Sequence, residues 1–177
     1  MFNIVTLNFF TFLPLLYNNF VKHKNQINIC SWSELFLKTE NDNYYYEFPH
    51  KMTNIGFFEN DDYIVKNADN FYLKLACPWI VKANESCNII WNNCSKHNIE
   101  NINIEQAINK NELVQVYTNI VLQKTQNHKD YFINFNEPLM QGTVDKKFKI
   151  KTHLISQSKF YEMNNCAIRI ENIKKGL

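Results

Sequence analysis

The amino-acid sequence predicts an all-β chain: an antiparallel β-sandwich, or a jelly-roll or β-clip-like barrel, with one or two short helices. Three observations predict it. Short runs of β-branched and aromatic residues recur from one end of the chain to the other. Polar turns rich in asparagine and aspartate separate them, and few stretches hold a 3.6-residue apolar period. With 45% hydrophobic and 15% aromatic residues there is material for one packed core, which excludes intrinsic disorder. The 177 residues suit a single domain, 1–177, with no internal repeat and no interdomain linker.

The elements follow in order. Ile4 to Phe12 reads as a strand stopped by Pro14, and Pro14 to Phe20 as a short helical turn. Ile29 to Leu37 places Trp32, Leu35 and Phe36 on one helical face and predicts a second short helix. From Tyr44 to Phe48 and from Thr53 to Phe58 the β signal returns, with the acidic turn Glu59 to Asp62 after it. Tyr63 to Lys66 and Phe71 to Ala76 flank a hairpin loop at Asn67 to Asn70. Trp79 to Ala83 and Cys87 to Trp91 flank another turn at Asn84 to Ser86, and the polar run 92–111 is the expected mobile loop. Leu113 to Gln123 is a long strand with Val114, Val116, Thr118, Ile120 and Leu122 on one side. Tyr131 to Phe135 is another strand. Phe148 to Leu154 alternates Phe148 and Ile150 against Lys149, Lys151 and His153, the period of a sheet with one wetted face. Cys166 to Ile170 predicts a final strand.

Composition narrows the function classes. The net charge is +2 and no basic block stands out, so nucleic acid is not expected as the main partner, although a local patch is compatible with the sequence. Glycine occurs three times and arginine once, at Arg169, a usage that AT-rich codons favour. Asparagines must therefore fill the turn positions that need a positive φ. The five cysteines, Cys30, Cys77, Cys87, Cys94 and Cys166, have no regular spacing and read as buried thiols without disulfides. The sequons at Asn84 and Asn93 matter only on a secretory route, for which nothing speaks. Phe2 to Phe20 is apolar, but asparagines interrupt it and no positive charge precedes it. A spanning helix needs roughly 20 apolar residues, so a buried strand is expected, without secretion or a membrane.

Four constellations carry candidate chemistry. His128, Asp130 and the distal His153 have the ligand types of a non-haem iron facial triad. The polar surroundings of His128 read instead as a solvated hairpin turn. Cys77, Cys87, Cys94 and His97 could hold zinc, yet only Cys94 and His97 have a short ligand spacing, and no metal or other cofactor is expected. No nucleophile sits in a glycine-flanked elbow and no glycine loop could cradle phosphate, so no catalytic residue is assigned. Glu59, Asp61 and Asp62 read as an acidic turn. The aromatic load is the positive signal. Tyr44, Tyr45, Tyr46, Phe57, Phe58, Trp79 and Trp91 exceed what one core absorbs, and three consecutive tyrosines put at least one ring outward. Those residues form the expected interface.

Two segments carry a resemblance. Phe71 to Ala83, followed by Ser86, resembles a Lys-x-x-x-Pro-Trp-x-Ile/Val-Lys element of small, uncharacterised β-rich proteins encoded by tailed phages. Lys151 to Gln157 is similar to the Gly-Asp-x-Ile-Ala-Gln strand of dUTPase-like β-clip proteins, keeping Ile155 and Gln157 without the glycine or the catalytic aspartate motif. The resemblance implies a phage or viral protein of host cytoplasm or virion. Its expected partners are other virion proteins or a second copy, and its expected role is structural or accessory rather than enzymatic. The alternative it implies is a β-clip nucleotide hydrolase, beside the iron oxygenase that His128, Asp130 and His153 would suggest.

Overall fold

The computed structural model describes residues 4–13, 21–23, 26–47, 57–59, 68–97 and 99–175. The expected turn at Pro14 to Phe20 and strand at Tyr63 to Lys66 lie outside them. Thirteen strands and one helix are present among the described residues. Sheet I joins β10 (Leu113–Gln123), β7 (Asn70–Ala83), β1 (Val5–Thr11) and β13 (Phe148–Leu154), with β6 (Phe57–Glu59) on the upper half of β7. Sheet II runs β2 (Val21–His23), β3 (Gln26–Cys30), β12 (Pro138–Val144), β8 (Cys87–Asn93) and β9 (Asn103–Ile108). Sheet III is β11 (Lys129–Ile133), β4 (Leu35–Glu40) and β5 (Asn43–Glu47).

The fold is mainly β, as the sequence predicts, and sandwich-like rather than a closed barrel. One face of each sheet feeds a single core. Val5, Leu7 and Phe9 of β1 meet Leu73, Trp79 and Val81 of β7, with Ile27 and Ile29 from sheet II and Leu35 and Leu37 from sheet III. Alternation in β1 and β4 is strict, every second residue being buried, because each strand has one packed and one open face. Pairing is antiparallel except for β13, which lies parallel to β1 after the chain crosses from sheet II to sheet I.

Three sequence expectations are corrected. Ile29 to Leu37 is not a helix but the end of β3, a bend at Ser31 to Glu34, and the start of β4. A matching bend at Asn134 to Glu137 joins β11 to β12, so sheets II and III are two halves of one pair of kinked chains. The Ser31 amide donates to the Glu137 carbonyl and the Asn136 amide to the Ser31 carbonyl, both at 2.8 Å, and these bonds hold the kinks in step. Trp32 fills the bend, which is why it mimicked a helical apolar face. Cys166 to Ile170 is not a strand but part of α1 (Gln157–Lys175). Ser156 caps that helix, its Oγ accepting the Lys159 amide at 3.3 Å. Only Phe160 and Ala167 of α1 are buried hydrophobics, too thin a stripe to read from sequence. Finally, 92–111 is not a loop throughout: β9 lies within it, and Glu100 accepts from Asn70 at 2.7 Å and from Tyr72 at 2.9 Å.

Two close fits shape the sheets. Strand β7 runs through Pro78, which has no amide to donate. The register opposite shifts between Gln115 and Tyr117, and the Gln115 side-chain amide donates to the carbonyls of Cys77 and Trp79. One side chain thus supplies donors to the two carbonyls that flank Pro78 where the ladder is irregular. On sheet II, Gly142 lies under the Trp91 ring, where a Cβ would meet ring carbons at 2.5 and 2.7 Å. The expected use of asparagine in place of glycine at turns is also present: Asn41, Asn111 and Asn136, joined by Asp42, have φ between 51° and 64°.

Candidate interaction surface

Sheet III turns one face to the core and one to solvent. Leu35, Leu37 and Thr39 point inward, so Phe36, Lys38 and Glu40 point outward. Register then sets the outer face: Phe36 lies between Phe132 and Glu47, and Lys38 lies between Asp130 and Tyr45. Tyr45 is 53% exposed and Phe132 46%. The Lys38 ammonium stands 5.7 Å from the Tyr45 ring centroid. Around the rings runs a chain of polar contacts: Lys38 to Glu40 at 2.6 Å, Glu40 to His128 at 3.8 Å, and His128 to Asp130 at 2.8 Å. Hydrogen bonding to Glu40 raises the Lys38 ammonium, and the same bond lowers the Glu40 carboxyl, against a smaller opposing effect of desolvation. Both groups are solvent-facing, so the chain fixes side-chain positions more than it stabilises the fold.

The facial-triad geometry is absent. His128 and Asp130 meet, but His153 sits on β13 of sheet I, its Nε2 3.0 Å from Asn8 Oδ1 and its ring stacked on Phe10 at 4.7 Å. No group of three or more His, Cys, Asp or Glu able to hold a metal occurs among the described residues. The zinc grouping fails likewise. Cys77 and Cys87 are buried on separate sheets, and Cys94 is exposed after β8. Burial pushes the Cys77 and Cys87 thiols up, and the Cys94 thiol to about 11, with Cys30 adding to the last. Neutral thiols are poor ligands and poor nucleophiles. All five cysteines are free, but only Cys77 and Cys87 are buried as expected, Cys30 being half-buried and Cys94 and Cys166 exposed. No helix among the described residues is long and apolar enough to cross a membrane.

The aromatic prediction divides. Tyr45 and Tyr46 are exposed, and Tyr44 is half-buried with its ring 5.1 Å from Phe71. Trp79 and Trp91, at 3% and 4% exposure, are core residues and are withdrawn from the surface. Trp79 packs edge-on to Phe9, and the Trp91 indole donates to Gln106 at 2.8 Å. The side chains of Phe57 and Phe58 lie outside the described residues. Sequence reasoning missed Phe36 because a helical reading of Ile29 to Leu37 hid the alternation of β4, and missed Phe132, on a strand it did read, because only pairing with Phe36 sets its outward face. That alternation, Leu35 and Leu37 against Phe36 and Lys38, was the available signal.

A second feature sits at the paired kinks. An open hollow of about 410 Å³ is lined by Cys94, Lys96 and the turn from Asn134 to Pro138. Glu137 anchors it, accepting the Asn134 amide at 3.1 Å and lying 3.5 Å from His97 Nε2 and 3.7 Å from Lys96 Nζ. These contacts tie the exit of β8 to the kink between β11 and β12, a bracing role. No family model, curated protein or solved structure matches the chain.

Proposed function

We propose that this chain is a non-enzymatic phage or viral protein acting through protein–protein contacts, as a structural or accessory virion component, with sheet III as its docking face. One observation carries the reading. Of the exposed aromatics among the described residues, Tyr45 and Phe132 share the outer face of sheet III, Phe135 lies in the turn after β11, and Tyr46 sits on the same edge strand β5 but in register with the inward-facing Leu37. An aromatic centre ringed by polar groups that already satisfy one another is the composition of an interface hot spot and its rim. The phage-like element at Lys74 to Lys82 and the AT-rich residue usage support the viral origin. The partner is another virion protein or a second copy of the chain.

The test replaces Phe132 with a photo-crosslinking phenylalanine analogue and irradiates purified particles, alongside sedimentation of the isolated protein. A single defined adduct, lost in a Tyr45→Ser variant of unchanged melting temperature, is expected. A protein that stays monomeric at all concentrations and gives no adduct in particles refutes the proposal.

A further inference from the structure

Helix α1 packs mainly on β10 and β7, with Phe160 and Tyr161 against Phe12 just after β1. Beyond it Lys149 and Lys151 of β13 are exposed and Thr6, Asn8, Phe10 and His153 half-buried. Strand register fixes what this face of β1 and β13 presents. Thr6, Asn8 and Phe10 of β1 lie beside Lys149, Lys151 and His153 of β13, and Asn8 lies beside Lys82 on its other flank. Lys149 and Lys151 are exposed and Lys82 is half-buried. Lys38, Lys74, Lys96, Lys159 and Lys174 each have a carboxylate partner, whereas none pairs with Lys82, Lys149 or Lys151 among the described residues. At the end of this row the His153 and Phe10 rings stack at 4.7 Å and 19°. Asn8 holds the arrangement, its Nδ2 donating to the Lys82 carbonyl at 3.4 Å while its Oδ1 meets His153.

We propose that this face binds single-stranded nucleic acid, phosphates lying on Lys149, Lys151 and Lys82 and a base stacking on the Phe10–His153 pair. Lysines two residues apart on a strand stand roughly 6.6 Å apart, which lets consecutive phosphates of an extended strand each meet an ammonium. A flat sheet offering cations beside an aromatic pair is the platform that unpaired bases use, because their π-faces are open. A duplex hides those faces, and an acidic peptide has no use for the ring pair. Lysines on an edge strand also discourage sheet-to-sheet pairing. That role leaves Lys82 on the interior strand β7, and the ring pair, unexplained.

The experiment titrates a fluorescein-labelled oligothymidylate with the full chain and reads anisotropy. Three phosphate contacts at about −0.7 each give a log–log salt slope of about −2, so affinity falls about 20-fold between 50 and 200 mM salt. The double variant Lys149→Ala/Lys151→Ala, both positions being exposed, lowers the slope by about 1.4 and binding at least tenfold. Phe10→Leu weakens binding roughly tenfold at an unchanged slope. Phe132→Ser, on sheet III, leaves oligonucleotide binding intact, so this surface and the docking face fail or stand separately. Absence of binding at 50 mM salt overturns the proposal, the lysines then serving only as edge protection. Equal binding of duplex DNA or of polyglutamate overturns it as well.

Discussion

Gln115 offers the sharpest test of how sheet I is built. It is a 5% exposed polar residue in a central sheet, and its amide donates to the carbonyls of Cys77 and Trp79 and, at 3.2 Å, of Val116. Gln115→Leu keeps the volume and removes the donor. A buried carbonyl left without a donor costs about 1–3 kcal/mol, and leucine returns about 1 kcal/mol of apolar burial. With two carbonyls orphaned beside Pro78, the net loss is about 1–5 kcal/mol, centred near 3. For a chain of this length each kcal/mol moves the melting temperature by about 2–4 °C, so a fall of roughly 5–15 °C is expected. Urea unfolding followed by circular dichroism reads it as a lower midpoint at constant slope. Gln115→Glu supplies the sign. An ionised carboxylate facing carbonyls has its folded pKa raised above the unfolded value of about 4.3. Its stability is therefore greatest below that value and is lost as pH rises through the folded pKa. A leucine variant within about 0.5 kcal/mol of wild type, a margin typical of neutral surface changes, or a glutamate variant whose deficit ignores pH, refutes the account of the Pro78 bulge.

Two further outcomes are expected. Gly142→Ala forces a methyl group into the Trp91 ring, which is 4% exposed and anchored by Gln106, so it costs about 1–3 kcal/mol in denaturant unfolding. A neutral result would mean that the ring moves freely. Cys94, exposed by area but with its thiol pushed up to about 11, gives an iodoacetamide rate that still climbs above pH 10 in site-resolved mass spectrometry. A plateau near the ordinary thiol value contradicts the desolvation.

The sequence by itself determined the period-two strands and the residues that close their turns. β1, β10 and β13 were legible because alternation and β-branching act within one strand, and the left-handed turn positions because asparagine tolerates them next best after glycine. The exposed pair Tyr45 and Tyr46 was partly legible for the same reason: three consecutive tyrosines cannot all face one way. Tertiary structure decided the rest. Whether Trp79 or Tyr45 meets solvent depends on which sheet lies opposite: the inward face of β7 is core, while none of the described residues forms a layer over the outer face of sheet III. Ile29 to Leu37 satisfied a helical period within its own length, but its bend is held by bonds to Asn136 and Glu137, more than a hundred residues away. Helix α1 gains its burial from distant partners, packing on β10 and β7 with Ala167 buried and Phe160 against Phe12 at 4.9 Å. His128 and His153 were equal as ligands on paper; pairing on different sheets set them apart, and the same pairing placed Lys82 beside the lysines of β13. Period is a property of neighbours in the chain, while faces and partners belong to residues that only the packed sheets bring together.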